Sequence, residues 1–196
     1  MKRIANFALL LFAAGAAAAV AAGNRAASPT AARCGGLTWH LKTFSHSRRG
    51  QVSMAPQSTT IGAIRLRRGP GRPPLRRTTS YQLHTWEVPA QITSFRLDET
   101  GSVRLVLYDD TAYINAVIPS PSCLSSKTRD RADIVAAWHL FVDKCGRATI
   151  NWQSLGAIFF VRGIGFWGAR AAGSRGTAPN GAELHPVTGL RVIAGC

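Results

Sequence analysis

The stretch from Ile158 to Ile193 constrains this chain more than any other. Ile-Phe-Phe-Val-Arg-Gly-Ile-Gly-Phe-Trp and Glu-Leu-His-Pro-Val-Thr-Gly-Leu-Arg-Val-Ile are two apolar runs of strand length. A polar, Gly-rich loop ending in Thr177-Ala178-Pro179-Asn180-Gly181 separates them. Pro and Asn-Gly are strong turn signals between apolar runs. The stretch reads as the closing strand pair of a small β-barrel.

The elements upstream fit that reading. Tyr81 to Leu97 alternates over a long run, with Pro89 marking a bend or an edge where no amide donor is needed. Asp98-Glu99-Thr100-Gly101 turns the chain into Val103–Tyr108, and Asp109-Asp110 turns it again into Ala112–Ile118. Pro119-Ser120-Pro121 stops this meander. A helix follows, capped by Ser125 or Ser126, with Ile134, Trp138, Phe141 and Val142 on one face and Asp130 in its first turn. Lys144 falls in its last turn and Gly146 at its exit. Three strands, a helix and two more strands is the element order of the OB-like five-stranded barrel. The fold expected is therefore mainly β, with a small α+β sandwich of the same order as the alternative.

The amino-terminal part is less regular. Leu37 to Phe44 alternates as a strand or extended arm would, and Gln57 to Leu66 places Ile61 and Ile64 at helical spacing. Met1-Lys2-Arg3, an Ala-rich apolar run from Ile4 to Val20 and small residues up to Gly23 read as a secretory signal peptide. The expected organisation is a signal peptide at 1–23, a basic arm with an Arg/Pro/Gly loop at 24–78, and the β domain at 79–196.

Charge bounds the function. The formal net charge is +15. No acidic residue precedes Glu87, while Arg65, Arg67, Arg68, Arg72, Arg76 and Arg77 crowd together among glycines and prolines. Such a segment repels itself and is expected as an exposed loop that buries no core. It would attract a polyanion: nucleic acid, anionic glycan or an anionic envelope surface. Arg96 and Arg104 would contribute from the barrel. No aromatic residue lies inside the cluster to stack on bases.

Export implies an oxidising compartment, so the four cysteines are disulfide candidates. Cys123 and Cys145 bracket the expected helix, and Cys34 and Cys196 lie near the ends of the mature chain. Pairing each set is geometrically attractive, although three connectivities are open. No Cys-x-x-Cys or His-rich spacing calls for zinc, and no cofactor is expected. No Gly-x-Ser-x-Gly elbow occurs. Asp98, Glu99, Asp109 and Asp110 lie at opposite ends of one strand, roughly 20 Å apart at about 3.3 Å per residue, too far to share an ion.

Several blocks carry a resemblance. They are Cys34 with Leu37–Thr43, Thr59-Thr60-Ile61, the meander from Glu87 to Ile118 and Ile118–Cys123. Val161-Arg162-Gly163-Ile164-Gly165-Phe166-Trp167 and Ala178-Pro179-Asn180-Gly181-Ala182-Glu183-Leu184-His185-Pro186-Val187 complete the set. Together they resemble a family of secreted bacterial proteins whose function is not established, over Cys34 to Ile193. The resemblance implies an Asp-Gly-Asp-x-His pattern opening the second strand and an acid before the Ile-Pro-x-Pro-x-Cys stretch. It also implies an Asp and a His after the Gly-x-Gly-aromatic strand. This chain has Thr100-Gly101-Ser102, Arg104, Val117, Gly168 and Ala171 or Ala172 at those places.

Glu183, His185 and Asn180 remain as catalytic candidates. Glu183 and His185 are two apart in a strand and would share a face, so a general base is one reading of His185 and a structural histidine is the other. The function expected is a secreted or periplasmic binding or accessory module directed at a polyanion. The alternatives are a hydrolase or nuclease-like enzyme centred on His185 and Glu183, or a structural envelope protein.

Overall fold

The computed structural model describes residues 34–171 and 173–196. The proposed signal peptide lies outside these residues. Among the described residues the chain forms three α-helices and six strands, with short 3-10 turns between some of them: α1 (Trp39–Lys42), β1 (Ser53–Ser58), α2 (Ile61–Arg65), β2 (His84–Leu97), β3 (Val103–Tyr108), β4 (Tyr113–Ile118), α3 (Arg131–Cys145), β5 (Gln153–Trp167) and β6 (Ala182–Ala194). The fold is mainly β, as the sequence pattern implies.

One sheet holds all six strands in the order β1-β2-β3-β4-β6-β5, and a further β2–β5 pairing closes β5 back onto β2, leaving β1 as an outer edge. The last five strands thus form a ring in the OB-like order, with α3 between the third and fourth of them. The parallel β4–β6 contact that completes the ring is brief, Asn115 with Glu183 and Ala116 with Leu184. Alternation sorts the side chains. Val88, Ile92, Leu105, Leu107, Ile114, Ala116, Phe159, Val161 and Leu184 are buried in one core. Ala137 and Phe141 of α3 join it, Phe141 meeting Phe95 edge to face at 5.0 Å.

Pairing with three other strands makes β2 the organising strand. It pairs with β5 over most of its course. On its other side it pairs first with β1, up to Glu87, and then with β3 from Gln91 onward. Pro89 falls in the gap between those partners, where no ladder amide is required.

The structure departs from the sequence reading in four places. Leu37–Phe44 contains the helical turn α1 rather than a strand. Thr43 donates through its backbone and its hydroxyl to the Trp39 carbonyl, and Phe44 ends the turn at φ 55°. β1 has no apolar alternation because it is an exposed edge, held by parallel backbone pairing and by the Thr85 hydroxyl on the Ser53 carbonyl at 2.9 Å. α3 starts at Arg131, not near Ser125. Asp130 has φ 52°, and the chain just before it is held by tertiary bonds, Arg129 donating to the carbonyls of Phe44, Arg49 and Val52.

The fourth departure concerns the basic arm. Ile61 and Ile64 are fully buried in the main core, and Phe44 and Val52 form a second small cluster with Ile164 of β5. The described part of that arm is therefore packed onto the strand ring through Phe44, Val52, Ile61 and Ile64.

The disulfides are Cys34–Cys123 and Cys145–Cys196, with Cα–Cα distances of 5.4 and 5.0 Å. This corrects the expected pairing of Cys123 with Cys145. The 15 residues of α3 span about 22 Å and carry Cys145 away from Cys123. The chain end after β6 instead returns to the C-terminus of α3. Among the described residues no helix is long and apolar enough to cross a membrane.

Candidate functional site

The three catalytic candidates do not assemble. Asn180 spends its whole amide on backbone: its nitrogen donates to the Ile64 and Arg67 carbonyls at 3.0 and 2.9 Å, and its oxygen accepts from Ala182 N at 3.1 Å. The Glu183 carboxylate lies 3.6 Å from the Arg104 guanidinium. His185 is 2 % exposed. Its ring meets Phe166 edge-on at 5.5 Å, and neither ring nitrogen has a hydrogen-bond partner among the described residues. Burial holds this imidazole well below its usual pKa, and the charges of Lys42, Arg104 and Arg77 push the same way. Burial and these three cations together disfavour its charged form, and Phe166 packs on the ring.

Two of the turn acids, Asp98 and Asp109, are also committed. Asp98 accepts from the Thr100 amide and hydroxyl and from Ser102 N. Asp109 accepts from Ile61 N at 2.6 Å and Gly62 N at 3.3 Å, capping α2, and from Thr111. Burial pushes its carboxyl up, but the hydrogen bonds from Thr111, Gly62 and Ile61 outweigh that, and its pKa lies below the usual value.

The six clustered arginines divide into three kinds. Arg65, Arg68, Arg72 and Arg76 are exposed, and none is ion-paired among the described residues. Arg67 is half-buried, its guanidinium 4.4 Å over the Trp86 ring. Arg77 is 4 % exposed and cannot serve as a surface binding residue, which corrects the sequence expectation. Its guanidinium donates to the carbonyls of Gln82, Gly165, Leu41 and His185. Burial pushes it down to about 9, so it remains cationic at neutral pH.

The Arg/Pro/Gly segment is consequently tied down rather than free. Arg170 donates to the Gly69 and Pro70 carbonyls, each at 2.8 Å, and Asn180 holds the Ile64 and Arg67 carbonyls. Both anchoring residues lie in the loop between β5 and β6. Five residues after Arg170, Arg175 sits 5.2 Å from the centre of the Trp152 ring, and Arg96 of β2 sits over the same ring at 4.8 Å. Arg96 is the register partner of Arg104 on β3. The loop thus links the exposed arginines to a second basic group through no more than about 18 Å of chain.

Sequence reasoning did not find Trp152, Arg170 or Arg175. Trp152 lies in a turn and the two arginines in a Gly-rich loop, so periodicity marks none of them. Arginines in a loop that follows an aromatic-rich strand were the one available signal.

No protein-family model matches the chain, and no curated protein matches it.

Proposed function

We propose that this protein is a secreted or periplasmic binding module for polyanions. The carrying observation is a docked segment with four exposed arginines that have no carboxylate partner among the described residues, joined by Arg170 to a loop whose Arg175 shares the Trp152 ring with Arg96. Arginines fixed on a surface lose less entropy on binding than arginines on a free tail. A field of one sign also speeds encounter with an anionic chain. The two disulfides fit an oxidising compartment.

The hydrolase alternative has less support. His185 is buried without a hydrogen bond to Glu183 among the described residues, and Glu183 is held by Arg104. Three of the positions where the resemblance implies acids or imidazoles lie near Glu183: Arg104 pairs with it, Val117 is the register partner of Arg104, and a Cβ on Gly168 would lie 2.5 Å from the Glu183 carboxylate. In this chain Arg104, Val117 and Gly168 supply neither an acid nor a general base there. A binding role for this chain accords with those residues.

The test is affinity for heparin, a single-stranded oligonucleotide and anionic phospholipid vesicles over a salt series. Replacing Arg65, Arg68, Arg72 and Arg76 together by Ser should flatten the salt slope for the preferred polyanion by about 3 to 4 units if each contacts a phosphate or sulfate. Absence of association with all three at low salt, or an unchanged slope in the variant, overturns the reading.

A further inference from the structure

A cavity of about 250 Å³ lies between α3 and the β5–β6 pair. Its chemistry differs from that of the basic segment. Glu87 and Asp133 line it together with Arg162 and Arg191, so two of the chain's nine acidic residues face two arginines across one small space. Phe160 and Leu140 add apolar wall. A polyanion would be repelled by the acids, whereas a ligand carrying both signs would not.

The polar groups of this cavity are incompletely used. Thr188 is 3 % exposed and lines it, yet its hydroxyl has no hydrogen-bond partner among the described residues. Arg162 places one terminal nitrogen 3.4 Å from the Glu87 carboxylate, while its buried Nε has no partner. Arg191 lies over the Phe160 ring at 3.9 Å. Neither Arg191 nor Asp133 is ion-paired among the described residues. Gly189 is the register partner of Arg162, and a Cβ there would meet that side chain at ordinary contact distances of 3.5 to 3.8 Å.

We propose that this cavity binds a small zwitterion of amino-acid size. The arginines and the Thr188 hydroxyl recognise its carboxylate, Asp133 and Glu87 recognise its ammonium group, and Phe160 and Leu140 take its aliphatic part. The volume sets the size class: it equals roughly eight waters at about 30 Å³ each and lies below the range of about 300 Å³ and upward typical of drug-sized ligands. Unused buried donors beside unpaired surface charges make both ends of such a ligand recognisable, since hydrogen bonds to charged groups are among the stronger ones.

The experiment is titration of the mature chain with L-leucine, followed by backbone amide NMR. Two single-charge analogues, 4-methylpentanoate and 3-methylbutylamine, are titrated alongside. The expected result is a saturable shift at Thr188, Gly189 and Ala136 for L-leucine, with each analogue weaker by roughly tenfold or more. Arg191→Leu and Asp133→Asn, both at exposed positions, should each weaken L-leucine by a similar factor with the rest of the spectrum unchanged. The proposal is overturned if L-leucine produces no saturable shift, if either analogue binds as well, or if both variants bind like the parent. Salt-dependent heparin binding measured on the same variants reports separately on the basic segment.

Discussion

The Arg77 guanidinium donates a 2.8 Å hydrogen bond to the carbonyl of His185, 108 residues later in the chain. The same side chain holds carbonyls from Leu41, Gln82 and Gly165. One buried cation thereby joins the α1 segment, the turn just before β2, β5 and β6, and it is solvated by four peptide dipoles instead of by an acid. Arg77→Met should cost about 3 kcal/mol or more, because buried carbonyls left without donors cost about 1–3 kcal/mol each. Arg76→Ser, one residue away and exposed, should change stability by less than about 0.5 kcal/mol while lowering polyanion affinity. Urea unfolding and heparin retention measured on both variants check the contrast, and equal stability loss would refute it.

Gly165 is required for contact, not for an unusual φ. A Cβ there would lie 2.0 Å from the Tyr81 carbonyl oxygen and 2.8 Å from its carbon, both backbone atoms. Neither can move aside cheaply, since Tyr81 also donates to the Glu183 carbonyl and accepts at its own carbonyl from the Trp86 indole. Gly165→Ala is expected to destabilise by about 1–3 kcal/mol or more, as overpacking does. Gly189→Ala, where the contacts are ordinary, should cost much less. Thermal unfolding of the two variants decides the point.

Two buried histidines make stability depend on pH. Burial, followed by the charges of Arg77, His40 and Arg49, lowers His46 from 6.5 to about 4. His185 lies well below 6.5 through burial, then Lys42, Arg104 and Arg77. The unfolded chain therefore binds more protons than the folded one below pH 6.5. Their contribution is fully present above that pH, declines as the pH falls through it, and continues to decline to about pH 4 for His46 and further for His185. Urea midpoints across this window should fall with pH. His185→Leu should make the fall shallower, because it removes a group whose pKa is lowered by folding, and it strips away no hydrogen bond among the described residues. An unchanged slope would show that the ring is not the titrating group.

Disulfide mapping offers a direct check on the topology. Non-reducing proteolysis and mass spectrometry should recover Cys34 linked to Cys123 and Cys145 linked to Cys196. Replacing Cys145 and Cys196 together by Ser should lower stability by about 2–4 kcal/mol. A peptide joining Cys123 to Cys145 would contradict the arrangement of α3 and β6.

Legibility followed apolar alternation. β2, β3, β4 and the final pair are apparent in the sequence because each turns one face to a shared core, as Leu105, Leu107 and Ile114 do. β1 was invisible because an exposed edge strand needs only backbone pairing. The candidate site was harder to read. Glu183 and His185 stand out as polar residues in an apolar strand, yet one is neutralised by Arg104 and the other is buried beside Phe166. Trp152 became relevant only through its approach to Arg96 and Arg175.

By itself, the sequence determined the mainly β class, the order of the ring strands and helix, and the concentration of positive charge before Glu87. Those properties depend on local periodicity, turn chemistry and composition. Only the tertiary structure decided which cysteines pair, which arginines meet solvent, and that a cavity of mixed charge lies beneath α3. These depend on distances between residues far apart in the chain. Arg76 and Arg77 are alike in sequence, and only the approach of four carbonyls from Leu41, Gln82, Gly165 and His185 separates a surface charge from a buried one.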